Sequence, residues 1–394
     1  MSSRRLNSFS ALLIPLALAA GGVACGGTHH SGPGVSSSEA KDAGGANAAT
    51  STDQATLPCN IHTQYPGDSQ CITAPDPAKG MQFHYGPSNY DDPNEVAKFI
   101  LMPGQETTDC VFFMSPNATE VYFTEYHSRL RPGSHHMLLY IQKNTVPEGG
   151  PGSCNQLLSR NLFGATSPTM DVKNISGAPE NEGLAVRIPA SQQVAMQMHV
   201  INTTSAPILK EGWANIMYTD ISQVKVLGDP IFFIAGTSMN IQVGQTVTNQ
   251  GTATVPSDAA PDFRLVGAIP HYHGHTTRFT AYKTINGVKE KLLEEYGVLG
   301  VPGDPILYAF DSTTMNPTPN PDTMTPGAFS GDVYLKPGDT ISWECVQTND
   351  GKGANGVPIT NALKFTEQAY QGEMCNLFGI YAPTDGNVWN AFNP

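Results

Sequence analysis

Residues 193–200 read QVAMQMHV, and their side chains alternate in the way that those of a β-strand do. Successive side chains of a strand point to opposite sides, so Gln197 and His199 share one face and the methionines share the other. Turn signals such as Pro132-Gly133 separate further short runs of this kind. These runs lie at residues 120–124, 137–141, 232–235, 278–282 and 340–345. The pattern predicts an all-β protein, built as a β-sandwich or jelly roll.

The composition supports an all-β prediction. The chain has 394 residues, of which 39 are glycine and 31 are proline, and only 14% of its residues are charged. This mix is typical of a turn-rich β protein and not of a helical one. Residues 289–296 are the one stretch whose sequence favours a short helix.

The charge of the chain indicates which partners to exclude. The formal net charge is −13 at pH 7, and no run rich in lysine and arginine follows the N-terminal leader. Proteins that bind nucleic acid carry clustered positive charge. We therefore expect no nucleic-acid partner, and we interpret the dispersed acidic residues as a solvated surface.

The first 25 residues have the features of an export signal. Arg4 and Arg5 provide a positive start, and residues 11–20 form a short apolar core. An apolar run of this length is typical of a signal peptide and not of a membrane span. The run ends at Cys25, as in a bacterial lipobox, although Gly22 stands where leucine is usual. We expect a bacterial protein exported to the periplasm or cell envelope, with a lipid anchor at Cys25 as its only membrane contact.

The remainder of the chain divides into segments of different composition. Residues 26–58 are rich in Gly, Ser, Ala and Thr and are expected to form a flexible, disordered tether. Residues 59–100 form a small segment that holds a disulfide loop. Residues 101–222 and 223–394 are predicted to be two consecutive β-sandwich domains, because the ordered region divides into similar halves near residues 220–229.

The cysteines predict disulfides. If Cys25 carries a lipid, six of the seven cysteines remain, and an even number in an exported chain indicates a disulfide framework that can pair in many ways. Free thiols or copper-binding thiols are the weaker alternative, because no CxxC spacing occurs. The simplest set joins neighbours within each segment: Cys59 to Cys71, Cys110 to Cys154, and Cys345 to Cys375.

Residues 270–275 read PHYHGH and lead into an alternating strand. His271 and His273 stand two residues apart, so they share a face with their Cα atoms about 7 Å apart. That arrangement offers two imidazoles to one metal ion. A pair of surface or hydrogen-bonded histidines is the alternative, and the spacing alone does not decide between them. His275 joins the pair only if the chain has not turned after Gly274.

Residues 131–140 read RPGSHHMLLY and place His135 and His136 at the start of an apolar strand. Adjacent side chains of a regular strand face opposite ways. Strand geometry therefore predicts that one histidine faces the core and the other faces solvent. Both can bind one ion only if the strand twists or bulges just after the Pro-Gly turn.

Two more residues are candidate ligands. His199 shares a strand face with Gln197, and an inward-facing polar pair is costly unless it binds something, although a hydrogen-bonded core histidine is commoner. Met374 offers a thioether, a soft ligand that suits Cu(I), although most methionines simply fill cores. A disulfide between Cys375 and Cys345 would hold the strand of Met374 in place.

Taken in order, these motifs resemble those of the copper type II, ascorbate-dependent monooxygenases, a family that includes peptidylglycine α-hydroxylating monooxygenase and dopamine β-hydroxylase. The similarity covers about residues 105–394. The spacing of Cys110, His135 and Cys154 is also similar to the family's first-domain disulfide. The matching stretches are HHMLLY (135–140), QMH (197–199), HYH (271–273) and EMCNL (373–377).

The resemblance implies two consecutive jelly-roll-like β-sandwich domains, each with one copper site facing a solvent-filled cleft. The first copper would transfer electrons, and its ligands would be His135, His136 and His199. The second would be the copper where oxygen reacts, and its ligands, the catalytic residues, would be His271, His273 and Met374. The implied reaction inserts one atom of O2 into a C–H bond and takes two electrons from ascorbate or a similar donor.

The chain departs from the peptide-amidating members of that family at substrate-binding positions. Ile269 stands where those members have the arginine that binds the substrate carboxylate, and Phe378 stands where they have a substrate-binding tyrosine. Thr108 or Asp109 replaces a tyrosine just ahead of the first-domain cysteine. We therefore expect a small-molecule or peptide-like substrate that carries less charge than a peptide C-terminus.

Three functions remain in competition. The leading hypothesis is an exported copper monooxygenase that acts on an organic substrate. The second is a non-catalytic copper-binding lipoprotein for copper storage or delivery, which the altered substrate positions favour. The third is an adhesive surface β-sandwich in which the histidines are merely structural. Copper content separates the third hypothesis from the others, and O2 consumption separates the first from the second.

Overall fold

The computed structural model of the chain describes Cys59 and residues 61–142, 145–154, 160–165, 169–175, 183–202, 204–296, 333–352, 358–369, 372–384 and 389–393. All of these residues belong to one compact unit, Gln54–Pro394. The predicted leader, including Cys25, and the predicted tether at residues 26–58 lie outside the described residues.

Twelve strands precede residue 219 in the described part of the chain. The predicted runs at 137–141 and 193–200 lie within β5 and β10, and the run at 120–124 overlaps β4. The strands are β1 (Gly80–Tyr85), β2 (Ile100–Leu101), β3 (Glu106–Met114), β4 (Val121–Leu130), β5 (Ser134–Ile141), β6 (Gly149–Gly152), β7 (Arg160–Ala165), β8 (Thr169–Val172), β9 (Leu184–Ile188), β10 (Gln193–Ile201), β11 (Ile208–Leu209) and β12 (Gly212–Tyr218).

Thirteen further strands follow among the described residues, and the predicted runs at 232–235, 278–282 and 340–345 lie within β14, β18 and β21. The prediction of an all-β protein is therefore confirmed. The strands are β13 (Val226–Leu227), β14 (Asp229–Ala235), β15 (Asn240–Ile241), β16 (Thr246–Thr254), β17 (Arg264–His271), β18 (Thr276–Ile285), β19 (Val288–Glu295), β20 (Val333–Tyr334), β21 (Thr340–Thr348), β22 (Leu363–Phe365), β23 (Gly372–Glu373), β24 (Cys375–Ala382) and β25 (Asn390–Asn393).

Helical structure is sparse in the described residues. The α-helix α1 (Pro93–Ala97) begins after Asp92, whose carboxylate accepts the backbone N–H of Asn94, and its first residue is a proline. Two 3-10 helices span Asp68–Gln70 and Ile221–Gln223. None of these helices has the length and apolar character needed to cross a membrane.

The expectation of a short helix at residues 289–296 was wrong. Strand β19 occupies this stretch and pairs antiparallel with β18, from Ile285 opposite Val288 at the turn to Phe279 opposite Glu295. Asn286 and Gly287 form the turn with φ values of 51° and 80°, which is the geometry of a tight β-hairpin. Cross-strand pairing therefore overrides the helical preference of the local lysines and glutamates.

Two sheets organise the first half of the chain. One has the order β1-β12-β4-β9-β13, with β8 also paired to β4, and the other has the order β6-β3-β10-β5-β7. Side chains from both sheets form one buried hydrophobic cluster, which includes Phe83, Phe123, Leu139, Met196 and Met198. Strands β5 and β10, which carry three of the candidate ligands, are neighbours in the second of these sheets.

The second half has its own sheets and its own buried cluster. The sheet orders are β20-β17-β24-β14-β25, β16-β21-β18-β19 and β15-β22-β23. The cluster includes Phe233, Phe279 and Trp343. Val266 of β17 and Ala382 of β24 pack instead into the cluster of the first half. The β17–β24 pair, which leads to His271 and Met374, therefore contributes side chains to both clusters.

The three predicted disulfides are confirmed. Their sulfur atoms are 1.98–2.18 Å apart. Three disulfides indicate an oxidising, non-cytoplasmic location. The third bond joins β21 to the first residue of β24, directly after Met374. The pairs are Cys59 with Cys71, Cys110 with Cys154, and Cys345 with Cys375.

Candidate metal centre

His135 and His136 both lie at the start of β5, beside His199 on β10. His199 pairs with His136, but the next residue, Val200, pairs with Ser134, so His135 is the extra residue of a β-bulge. Both adjacent histidines are buried, at 1% and 3% exposure. The prediction from regular strand geometry, in which one of them faces solvent, was wrong, and the bulge is the physical reason.

A tight turn precedes the bulge and sets where β5 begins. The backbone N–H of Ser134 donates to the carbonyl of Arg131 at 3.2 Å. Gly133 has a φ of 90°, a left-handed conformation that favours glycine. A Cβ atom at that position would lie 2.4 Å from Ile208 Cδ1. The backbone conformation therefore favours glycine at position 133, and a side chain there would displace the end of Ile208.

The imidazoles of His135, His136 and His199 form a compact set. One ring nitrogen from each lies within 4.8 Å of the others. Their ring centroids are 4.5–5.3 Å apart. Imidazole nitrogens suit copper and zinc, so this set has the donor atoms and the spacing to hold such an ion.

His271 is the last residue of β17, and His273 lies in the turn that leads to β18. Their ring centroids are 5.8 Å apart. Tyr272 belongs to the hydrophobic cluster of the second half, where its ring stacks on Phe279 at 6.0 Å. The alternation predicted from the HYH spacing therefore holds, with the tyrosine in the core and the two imidazoles near each other.

A buried carboxylate ties the HYH turn to Met374. Glu373 Oε2 accepts the backbone N–H groups of His273 and Met374, each at 2.7 Å. Its Oε1 accepts the backbone N–H of His275 at 2.8 Å and the hydroxyl of Thr276 at 3.1 Å. Burial raises the pKa of Glu373 to about 7, against the lowering effect of these hydrogen bonds. One side chain thus fixes both parts of the predicted second copper site.

Met374 lies between β23 and β24 and is 6% exposed. Asn376 Nδ2 donates to its sulfur at 3.3 Å, and Gln347 Nε2 donates to its carbonyl at 2.9 Å. Asn376 pairs with His271 across β24 and β17. Met374 therefore lies two residues before the strand partner of His271. Together with the disulfide at Cys375, these contacts hold the Met374 segment in place as the sequence predicted.

The two histidine sets are in contact with each other. The ring centroids of His135 and His273 are 5.7 Å apart, and those of His136 and His271 are 5.5 Å apart. None of these rings, nor that of His199, is more than 6% exposed. The structure therefore has a single buried five-histidine cluster where the family resemblance implies two sites that face a solvent-filled cleft.

Burial favours the neutral form of four of these imidazoles. Desolvation, reinforced by the neighbouring histidines, lowers the pKa of His135, His136 and His271 well below 6.5. Desolvation and the nearby His199 lower the pKa of His273 to about 3. A neutral imidazole keeps a lone pair on one nitrogen, which is the form that binds metal ions.

Two buried nitrogens provide a test of whether this cluster fits a metal. Among the described residues, His136 Nδ1 and His273 Nε2 have no hydrogen-bond partner. A buried polar atom without a partner costs about 1–3 kcal/mol. Coordination to a metal ion would remove that cost, so one nitrogen from each set fits the copper that the sequence motifs imply.

His275 lies beside the second histidine set and is buried. Its N–H donates to Glu373, and its carbonyl accepts the backbone N–H of Thr348 at 2.8 Å. Its proximity also contributes to the lowered pKa of His273. These contacts give His275 a place in the turn that positions the site.

An aromatic stack borders His271. The ring of Phe378 stacks on His271 with centroids 4.9 Å apart. The ring of Phe232 in turn stacks on Phe378, with centroids 4.6 Å apart. Ile269 is opposite Phe378 in the β17–β24 pairing. Two of the three positions that depart from the peptide-amidating enzymes therefore fall on the strand pair that carries His271.

Arg131, at the start of the turn before the paired histidines, is fully buried in an ion network. Its Nε donates to Glu211 Oε2 at 2.5 Å, and one terminal nitrogen donates to Asp68 Oδ1 at 2.6 Å. Its other terminal nitrogen donates to the carbonyls of Tyr65 and Pro66 at 3.3 and 3.0 Å. Arg131 therefore attaches the loop closed by the first disulfide to the start of β5.

The carboxylates that support the histidines were not predicted from the sequence. Glu373 carries a weak signal, because it directly precedes Met374 and Cys375 in the EMCNL stretch. Glu106 carries none: its partner His199 is 93 residues away, and the contact arises only because β3 pairs with β10.

No family model matches the chain, and no curated protein matches it. A solved structure with some likeness is a chain from the atomic structure of Sulfolobus turreted icosahedral virus. It has 11% sequence identity and a TM-score of 0.23, and the match covers 71% of this chain and 91% of that chain. A likeness of that size carries no conclusion. The fold and the site define an all-β protein with a buried histidine cluster suited to a metal ion.

Proposed function

We propose that this protein is a copper-dependent monooxygenase that hydroxylates a C–H bond of an organic substrate, using O2 and ascorbate or a similar reductant. The observation that carries the proposal is the five-histidine cluster. Its members come from three separate sequence motifs, and Glu373 ties the third motif to the Met374 segment. A purely structural role for these histidines does not explain why so many imidazoles are buried together.

The proposed ligand sets follow the motifs. The first copper would be held by His135, His136 and His199. The second, where the substrate is hydroxylated, would be held by His271, His273 and Met374. Bound copper would supply one-electron redox chemistry, and two ions would store the two electrons that, with two protons, convert O2 and a C–H bond into a hydroxyl group and water.

The protein's own contribution is to orient the ligands and to exclude water. The neutral imidazoles bind a metal without first losing a proton. The bulge at His135 brings two adjacent rings to one side, and Glu373 fixes the backbone at His273 and Met374. The Phe378 ring covers one face of His271.

We also propose the finer architecture that the resemblance implies, two consecutive jelly-roll-like β-sandwich domains at residues 101–222 and 223–394, each with one copper site. The support is the division of the buried residues into two large hydrophobic clusters, one mostly from each half. The first cluster draws side chains from two different sheets, as the core of a sandwich does.

The substrate class proposed is a small-molecule or peptide-like compound with an apolar portion near the reacting carbon. The support is the aromatic stack of Phe378 and Phe232 beside His271. The location proposed is the bacterial periplasm or cell envelope, with lipid attachment at Cys25. The support for export is the N-terminal sequence together with three disulfides.

A second candidate function is non-catalytic copper storage or delivery by an exported lipoprotein. The observation that favours it is the burial of the whole cluster, since none of the five histidines is more than 6% exposed. A buried donor set protects Cu(I) from solvent but offers a substrate little access. Such a protein would bind copper without consuming O2 above the background of ascorbate oxidation.

Replacing Met374 with leucine tests the proposed function. Leucine has a similar volume and fills the same core position, but it lacks the thioether. With copper, ascorbate, O2 and a panel of apolar candidate substrates, we expect the variant to form product more than about 100-fold more slowly than wild type, because it loses a direct ligand. Product is measured by mass spectrometry with labelled O2.

The matched control is Met114→Leu, which changes an exposed methionine at the end of β3. We expect this control to retain the wild-type rate. Equal product formation by Met374→Leu and wild type would show that the second ligand set is assigned wrongly. Copper binding by a wild-type protein that consumes no O2 with any substrate would favour the storage function instead.

A further inference from the structure

Glu106, the first residue of β3, contacts both halves of the metal centre. Its Oε1 lies 2.6 Å from His199 Nε2 in the first half and 2.5 Å from the backbone nitrogen of Ala369 in the second half. The His199 side chain is fully buried, and that of Glu106 is only 10% exposed. A single carboxylate oxygen therefore joins a candidate copper ligand to the loop between β22 and β23.

The contact with His199 decides which ring nitrogen is available to a metal. A carboxylate accepts hydrogen bonds, so the nitrogen that faces it carries the proton. A proton on Nε2 leaves the lone pair of the neutral ring on Nδ1. Carboxylate partners of this kind fix the orientation of metal-binding histidines and raise their basicity.

The contact between Glu106 and Ala369 is one of several that attach residues 367–369 to the neighbouring strands β3 and β10. Gln197 Nε2 donates to Glu367 Oε1 at 3.4 Å. Gln197 lies on the same face of β10 as His199. Ala369 also packs against Ile201 in a small buried cluster. The loop is thus held by one hydrogen bond and one apolar contact from β10, and by one hydrogen bond from Glu106 of the neighbouring strand β3.

The same loop leads to the second ligand set. Residues 367–369 precede β23, whose Glu373 accepts the N–H groups of His273 and Met374. The chain between Ala369 and Glu373 is short, so the docking of one limits the position of the other. Glu106 therefore contacts both His199 and Ala369, a residue four positions before Glu373 in the sequence.

We propose that Glu106 is a positioning residue that links the two ligand sets: it orients His199 for copper and docks the 367–369 loop onto the first half. This inference rests on the proposed function in so far as the histidines bind copper. It assigns one carboxylate two tasks, and each task has its own measurement.

The first measurement is the copper affinity of Glu106→Ala and Glu106→Gln, determined by Cu(I) competition with a chelator. We expect Glu106→Ala to weaken binding at the first set by about 10–100-fold. Glutamine keeps an acceptor oxygen but loses the charge, so its effect should be smaller. The Cu(II) EPR spectrum of Glu106→Gln should also differ from wild type at unchanged unfolding free energy, which a purely structural role would not produce.

The second measurement is hydrogen exchange at the Ala369 amide in the metal-free protein. Because Glu106 accepts this N–H, we expect Glu106→Ala to increase the exchange rate by at least about tenfold, whereas Glu106→Gln should stay close to wild type. The matched control is Glu125→Ala, which removes a glutamate that contacts His127 at 2.7 Å on the partly exposed surface of β4. The control should change neither measurement.

The possible results separate this proposal from the proposed function. A Glu106→Ala variant that changes copper affinity without changing Ala369 exchange, or the reverse, would overturn the linking role. Unchanged values of both would overturn it entirely. A wild-type chain that binds no copper contradicts the proposed function, and the exchange at Ala369 then still shows whether Glu106 docks the loop.

Discussion

Replacing Glu373 with alanine is expected to lower the free energy of unfolding of the metal-free protein by about 3–5 kcal/mol. The carboxylate accepts four hydrogen bonds in a fully buried position, three of them from the backbone N–H groups of His273, Met374 and His275. Alanine leaves these donors without an acceptor, and each unpaired buried donor costs about 1–3 kcal/mol. Urea unfolding followed by circular dichroism measures the change.

The same substitution is expected to disassemble the second ligand set. His273 and Met374 share one oxygen of Glu373, so its removal frees both backbones at once. The control is Glu290→Ala, which removes an exposed glutamate paired with Lys283 at 3.2 Å and should cost about 0–1 kcal/mol. A Glu373→Ala variant as stable as the control would show that the carboxylate does not organise this site.

Replacing Arg131 with alanine is expected to cost about 3–5 kcal/mol, because it leaves the buried Glu211 without its cationic partner. Arg131 and Glu211 are both fully buried, and the arginine also bonds Asp68 and two carbonyl groups of the disulfide loop. We expect the Arg131→Ala substitution to affect copper binding mainly by loosening the turn that leads into the bulge at His135. Denaturant unfolding and copper titration of the same variant measure both consequences.

Arg129→Ala is the matched control for this prediction. Arg129 is two residues away and forms a bidentate pair with Asp171, whose side chain is 42% exposed. Solvent screening limits such a pair to about 0–1 kcal/mol. If the two variants lose the same stability, the buried network around Arg131 does not hold the start of β5.

Local patterns in the sequence were sufficient for six of the described strands and for the direction of several candidate-ligand side chains. The alternation of QVAMQMHV predicts His199 on the opposite face from Met196 and Met198, and both methionines are in the hydrophobic core. The spacing of His271 and His273 likewise predicts a shared side, with Tyr272 in the core between them. Nearest-neighbour cysteine pairing was sufficient for the disulfides.

Features that depend on distant partners were not predictable in this way. The bulge that lets His135 and His136 both face the cluster arises from the register between β5 and β10. Regular alternation, which is all that a single strand reveals, gives the opposite answer. The prediction of a helix at residues 289–296 was wrong for a related reason. Lysines and glutamates favour a helix unless a neighbouring strand, here β18, provides a pairing partner.

The contact between the two ligand sets also depends on distant partners. The same is true of the carboxylates that support the histidines. Contact between His136 and His271 requires the two halves to pack at the ends of β5 and β17. Glu106 meets His199 only through strand pairing, and Ala369 only through the loop that follows β22. Residue type and spacing predicted the candidate ligands, whereas the packing of the halves determines how close the two sets lie.

Metal analysis of the purified chain determines whether this histidine cluster binds copper. After copper loading and removal of excess metal, we expect about two copper ions per chain, because the proposed function assigns one ion to each of two adjacent ligand sets. The double variant His136→Ala/His273→Ala, which removes one imidazole from each set, should retain about one ion or fewer. Less than one tightly bound copper per wild-type chain would show that the cluster is not a copper site.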